Sequence, residues 1–297
     1  MSKIDTMTQN SWQQFLISQG AHWSSDDEHD NGVYHFGDAS TNATEEKRIA
    51  LEGRQSILCD LSHYGLIQAS GEETENFLHN QFCNDVRLVS ATQSQLNGYC
   101  SPKGRMLAFF RLFQRADTYY LRLPQTILEP TLKRLRMFVL MTKTELSDAS
   151  NTLARFGFAG PQAGQQLGAI LDEVPSSTDA AIQTGGLTVI CLTPGTRFEI
   201  YGEADAAQQL WQQLVNEAAP VGAATWELLD INAAQPEVYP QTQEAFVPQM
   251  LNLQAINALS FKKGCYPGQE IVARMHYLGK LKRRMFLAHT ADNGAIQ

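Results

Sequence analysis

The run F-K-K-G-C-Y-P-G-Q-E-I-V-A-R, Phe261 to Arg274, gathers more chemically distinctive residues than any other part of the chain. A thiol, Cys265, stands between Gly264 and Gly268, which permit positive φ and close backbone approach, while Pro267 fixes one backbone angle between them. Such a turn presents a side chain. Lys262 and Lys263 precede the cysteine, and neighbouring positive charge favours the thiolate, the reactive form of a thiol. Gln269 and Glu270 add an amide and a carboxylate where a new element should begin, and Arg274 closes the run. The pattern makes Cys265 a candidate reactive thiol with Lys263 and Glu270 beside it. The competing reading is a buried structural cysteine in a Gly-Pro turn.

The string Lys263 to Glu270, K-G-C-Y-P-G-Q-E, resembles the signature K-G-C-Y-x-G-Q-E of the YgfZ family of folate-binding proteins, relatives of the glycine cleavage aminomethyltransferase GcvT. Eight positions with one free are specific as short motifs go. Upstream, D-L-S-x-x-G-L-I…F-L…N-D-V, Asp60 to Val86, resembles the opening of that family's first lobe, with Tyr64 where relatives carry an aromatic residue lining the folate channel. T-W-E-L-L-D-I-N-A-A-Q-P, Thr225 to Pro236, resembles W-x-x-L-x-I-E-A-G-x-P and puts Trp226 at an aromatic position associated with folate. The resemblance implies a cofactor site for tetrahydrofolate or a derivative built from Tyr64, Trp226, Asn232, Gln269 and Arg274. It also implies an accessory role for Cys265 in supporting iron-sulfur enzymes, including those that modify tRNA.

Two departures bear on that role. Asn232 stands where the family has a glutamate that hydrogen-bonds the pterin edge, and an amide offers one acceptor oxygen where a carboxylate offers two. Glu227 or Asp230 could supply the carboxylate instead. The G-x-x-x-D-D loop of the aminomethyltransferases is replaced by K-G-R-M-L-A-F-F, Lys103 to Phe110, with no acid to assist folate chemistry. An active one-carbon transferase is the weaker alternative for that reason. A third reading is a non-catalytic module that docks tRNA or an enzyme.

The elements that must position these residues follow from patterning. A chain of 297 residues with 43% hydrophobic content is long enough for about two domains. Residues 1–55 read as an N-terminal arm with a short helical candidate, Trp12 to Ile17, and surface histidines His22, His29 and His35. Residues 56–150 read as β-α-β-β-α-β, with strands at S-I-L-C-D-L-S and G-L-I-Q-A-S, a turn-rich basic loop at Gly98 to Arg105, a hairpin, and a helix carrying Leu128, Leu132, Leu135 and Val139 at helical spacing. The same order recurs over residues 151–260, with Asp205 expected as the N-cap of a helix bearing Leu210, Trp211, Leu214 and Val215. The patterning gives an α+β fold of two ferredoxin-like lobes around a central channel, and the resemblance implies that this fold is GcvT-like. Residues 261–297 hold the signature and a C-terminal β-barrel that is rudimentary or missing.

The net charge of −8 argues against bulk nucleic-acid binding, yet Lys262, Lys263, Arg274, Lys280, Lys282, Arg283 and Arg284 face only Glu270 in the last segment. Such an asymmetry steers an anionic ligand or a tRNA towards Lys262 to Arg284. The five cysteines, Cys59, Cys83, Cys100, Cys191 and Cys265, are odd in number and dispersed, which points to a reducing compartment, to no metal site, and to no iron-sulfur cluster held by the chain itself. The start of the sequence lacks an apolar leader and no stretch approaches membrane-span length, so a cytoplasmic location is expected.

Overall fold

The computed structural model describes residues 3–23, 32–37, 42–140 and 142–288. His29 lies outside them. The chain opens with α1 (Lys3–Ser18), the short strands β1 (Ala21–Trp23) and β2 (Val33–Phe36), and α2 (Asn42–Glu52). After β3 (Ser56–Asp60), a first unit runs β4 (Tyr64–Ser70), α3 (Thr74–Gln81), β5 (Gln95–Cys100), β6 (Met106–Arg115), β7 (Thr118–Pro124), α4 (Gln125–Arg136) and β8 (Glu145–Asp148). A second unit repeats that order: β9 (Ala154–Ala159), α5 (Ala163–Gly168), β10 (Ala181–Thr184), β11 (Leu187–Thr193), β12 (Arg197–Gly202), α6 (Ala204–Leu214) and β13 (Ala218–Val221). Then come α7 (Ala223–Asn232) and α8 (Gln269–Tyr277). Among the described residues no strand follows β13.

The sheets confirm the internal repeat and refine it. One runs β5-β6-β7-β4-β8; the other runs β10-β11-β12-β9-β3-β13, the same order with β3 slotted between the strands equivalent to β4 and β8. Strand β3 pairs antiparallel with β9 and parallel with β13. Ser56–Asp60 thus pairs in the sheet of the second unit, although it lies in the range 56–150 assigned to the first. Every residue of β3 is buried, which suits a strand with neighbours on both edges and cover on both faces. Each unit also has one more edge strand than the ferredoxin-like order. In the first it is β5, where Gln95 to Cys100 are all buried and Gly98 serves packing: a Cβ there would stand 2.8 Å from Met106 Cε and 3.0 Å from Cys83 Sγ. Gly98, which reads as part of a turn, is here a close approach within a strand.

The helices bury the faces their spacing dictates. On α4, Ile127, Leu128, Leu132 and Leu135 are buried, but the helix ends at Arg136, before Val139. On α6, Leu210, Trp211 and Leu214 are buried; the helix begins at Ala204 after Glu203, so Asp205 is inside its first turn and is not the cap. The N-terminal arm belongs to the second unit's core. Trp12 packs edge-on to Trp211 at 5.7 Å and face-on to Phe156 at 5.9 Å, and its indole donates to Asp60 Oδ1 at 2.9 Å. His35 is buried and stacks on His22 at 4.7 Å, against the expectation of a free surface histidine. Where the two sheets face each other, Leu66, Phe113 and Tyr120 meet Ala181, Ile190 and Tyr201.

Candidate functional site: a charged seam, an acid-lined cavity and a separate signature turn

Strand periodicity aims a set of charges at the space between the sheets. On β12, Phe198 and Ile200 enter the second unit's helix-covered core, so Arg197, Glu199 and Tyr201 must face the other way. On the opposing sheet, Arg111 of β6 and Arg122 of β7 are register partners. All five are buried. Arg122 Nη2 donates to Glu199 Oε1 at 3.1 Å, Tyr201 donates its hydroxyl hydrogen to Glu199 Oε2 at 2.5 Å, and Arg111 Nη1 donates to Asp179 Oδ1 at 2.5 Å. Arg111 Nε lies 3.6 Å from Glu199 Oε2. Glu199 is thereby shared between two guanidinium groups, the arrangement a buried carboxylate needs to offset its lost hydration.

The seam continues to α7. Arg122 lies over the Tyr64 ring at 3.9 Å, and Tyr64 donates its hydroxyl to Asp230 Oδ2 at 3.0 Å. Arg197 Nη2 donates to Asp230 Oδ1 at 2.8 Å, with the guanidinium 4.3 Å over Trp226. At this end opens a cavity of about 430 Å³, lined by Tyr64, Glu227, Asp230, Ile231, Glu237 and, on its far wall, Met285 to Ala288. That wall is held by Met285 N–H donating to Met250 O at 2.8 Å and by Asn252 Nδ2 donating to Met285 O at 2.9 Å. Burial pushes the Glu237 carboxyl up to about 8, against the pull of Arg122 at 4.0 Å. His63, its ring tilted 42° to that of Tyr64 at 4.2 Å, is pushed down to about 3 by burial and by Arg122 and Arg155, so it is neutral at ordinary pH. The cavity therefore pairs Asp230, engaged by Tyr64 and Arg197, with an acid, Glu237, that holds its proton near neutrality. Such an acid can donate one hydrogen bond and accept another, beside the apolar Ile231, Pro236 and Phe286.

The expected cofactor residues divide. Tyr64 lines this cavity, with one ring face covered by Arg122. Trp226 is wholly buried beneath Arg197 and is not on the cavity wall, because α7 turns it towards the sheet. Asn232 is the exposed last residue of α7 and also lies off the wall. Of the substitutes considered for its missing carboxylate, both Glu227 and Asp230 line the cavity; Glu237 was not foreseen. Nor were Arg111, Arg122 and Glu199, although each is a charge inside an apolar strand, which is the signal that finds them.

The signature turn is a different place. Gly268 has φ of 84°, and a Cβ there would stand 2.5 Å from Ser101 O and 2.6 Å from Gly104 N, so only glycine lets α8 start against the Ser101–Arg105 loop. Gly264 has neither a positive φ nor such a neighbour. Lys263 is buried. Its ammonium donates to the carbonyls of His79 and Phe82 at the C-terminal end of α3, the end of a helix that favours a cation, and it lies 5.2 Å from the Tyr266 ring. Burial lowers it to about 8. The lysine thus spends its hydrogen bonds on a helix end, and only its charge is left to act on Cys265. Cys265 is exposed, as are Glu270 and Arg274, while Gln269 is half-buried and donates to Lys263 O at 3.4 Å. None of the five borders the 430 Å³ cavity. The other four cysteines are buried; burial raises the thiols of Cys59 and Cys191, and a hydrogen bond with Cys83, then burial, raises that of Cys100. Among the described residues no group of His, Cys, Asp and Glu is placed to hold a metal ion, and no helix is long and apolar enough to cross a membrane.

The family described as the GCVT N-terminal domain matches residues 13–260. The chain is 35% identical over 234 residues to the tRNA-modifying protein YgfZ of Colwellia psychrerythraea, covering 78% of this chain and 71% of that protein. It is 32% identical over 239 residues to the protein of the same name from Yersinia pseudotuberculosis, covering 80% and 72%. The crystal structure of the glycine cleavage system aminomethyltransferase T from Bartonella henselae superposes with a TM-score of 0.71 at 16% identity, over 90% of this chain and 74% of that one. That likeness establishes the fold, α+β and GcvT-like, and the sequence matches establish the kinship: the chain belongs to the YgfZ family, built on the GCVT N-terminal domain.

Proposed function

We propose that this protein is a folate-binding accessory factor that acts in tRNA modification, in the cytoplasm, by supporting iron-sulfur enzymes. The observation that carries the reading is the cavity at the end of the seam. Its volume suits a heteroaromatic ring system, its Ile231, Pro236 and Phe286 surfaces suit a flat apolar body, and Asp230 with the protonated Glu237 suits the hydrogen-bonding edge of a pterin. The residues present fit a tetrahydrofolate, which would bring its one-carbon chemistry; the chain itself orients the edge through Asp230 and Glu237. Lys103 to Phe110 brings no carboxylate to assist transfer, which favours binding over aminomethyl transfer. Calorimetric titration with tetrahydrofolate tests this. Saturable binding that weakens in Ile231→Trp, a substitution into the cavity wall, supports it; no binding, or equal binding by that variant, refutes it.

Contact with tRNA or an iron-sulfur enzyme is assigned to the other region. Lys262, Arg274, Lys280, Lys282, Arg283 and Arg284 are exposed along the segment that carries Cys265, and Gly268 packs on the Ser101–Arg105 loop, which carries exposed Lys103. Phosphate contacts weaken steeply with salt, so a tRNA titration from 50 to 200 mM salt should lose at least about tenfold in affinity. Salt-insensitive binding would remove RNA from this reading and leave a protein partner.

A further inference from the structure

A second cavity, of about 320 Å³, opens on the other side of α7, between α2, β3, the turn after β9 and the start of β12. Its apolar walls include Ala50, Ile57, Ala159 and Leu229, with Gln55, Thr193 and Thr196 adding polar groups, and Arg197 is the one charged side chain among its lining residues. Arg197 is 6% exposed, yet its Nε has no hydrogen-bond partner. A buried donor left unmet is costly, and a ligand that meets it recovers that cost on binding. The one carboxylate on this guanidinium, Asp230, reaches Nη2 from the side of the first cavity and also accepts from Tyr64. Arg197 thus lines the second cavity while its one carboxylate partner, Asp230, lines the first, and its Nε is left without a partner.

The geometry points to the 320 Å³ cavity as a binding site for a small monocarboxylate with a compact apolar body, its carboxylate on Arg197 and its body against Ala50, Ile57, Ala159 and Leu229. A guanidinium is matched to a carboxylate by its planar fork of N–H groups. A single cation suits one negative charge; a dianion would bring a second charge with no second cation among the lining residues. The volume admits a benzoate-sized molecule and leaves no room for a folate with its tail.

The test uses the full chain, isotopically labelled, titrated with benzoate and with benzamide. Benzoate should shift the amide resonances of Gly160, Thr196 and Ala233 saturably, and benzamide, which lacks the charge, should bind at least about tenfold more weakly. Arg197→Met should abolish benzoate binding. Because that variant strands Asp230, a rim variant, Ala233→Phe, is run beside it; it leaves Arg197 intact, fills the opening, and should weaken benzoate at least about tenfold. The site is overturned if benzoate leaves these resonances unmoved, if benzamide binds as well, or if Ala233→Phe binds as tightly as the natural chain. Tetrahydrofolate binding in Ala233→Phe is expected to be unchanged, which separates this site from the first.

Discussion

Between the sheets, Arg111, Arg122, Glu199, Arg197 and Asp230 are buried and answer one another, whereas around the signature turn Lys262, Glu270 and Arg274 stand in water beside an exposed Cys265. The first region is rigid by necessity, since each buried charge is tolerable only while its partners hold position. It can shape and orient a ligand. The second is a docked helix whose outer face is free, held by Gly268 on the Ser101–Arg105 loop and by Gln249 Nε2 donating to Val272 O at 2.7 Å. It can present groups to a macromolecule. No residue of Phe261 to Arg274 lines the cavity, so the proposed binding and contact roles fall in separate places.

The largest effect expected is on the seam. Glu199→Ala leaves two buried guanidinium groups without their shared carboxylate and should destabilise by about 3–5 kcal/mol; urea unfolding measures it, and a loss below about 1 kcal/mol would mean that water reaches the seam. Next come two pH signatures of opposite sign. Glu237 is held at about 8, above its ordinary 4.5, so between those values the folded chain binds more protons than the unfolded one and stability falls as pH rises, levelling above 8. Glu237→Gln should flatten that slope. Lys263 is lowered from 10.5 to about 8, so in that window the unfolded chain binds more protons and stability rises with pH; Lys263→Met should remove the rise. Thermal unfolding from pH 4 to 10.5 reads both, and a seam slope that survives in Glu237→Gln would assign the effect to another group.

A smaller change is expected at the start of α8. Gly268→Ala should cost about 1–3 kcal/mol through its left-handed φ and the collision with Ser101 O, while leaving the Glu237 pH slope in place. Smallest is Cys265→Ala. Removing one exposed sulfur opens no cavity, so stability should move by less than about 0.5 kcal/mol, while iron-sulfur enzyme activity should fail to recover in cells that lack the natural protein. A destabilised Ala variant that still restores activity would return Cys265 to the structural reading.

The repeat was legible because it rests on local order: strand, helix, hairpin and helix each leave a periodicity, and α4 and α6 bury the positions their spacing marks. The sheet assignment of β3 was not, since a run buried on both faces fits either sheet and pairing with β9 and β13 is non-local. The signature marked a candidate site but not its internal wiring. Lys263 sits two residues from Cys265, yet the carbonyls it caps lie on α3, far off in sequence. Asp230 and Glu227 could be named as carboxylates near Asn232 but not aimed; helix phase and the fold of α7 against β12 decide that Asp230 meets Arg197 and that Asn232 faces water.

The division between the two regions is tested most directly by titrating tetrahydrofolate against Glu237→Leu and Cys265→Ala side by side at pH 7. Glu237→Leu should weaken binding at least about tenfold, the worth of one lost hydrogen-bonding partner in a buried site, and Cys265→Ala should bind as the natural chain does. Unaltered binding in Glu237→Leu together with loss in Cys265→Ala would contradict the account and move the folate site to the signature turn.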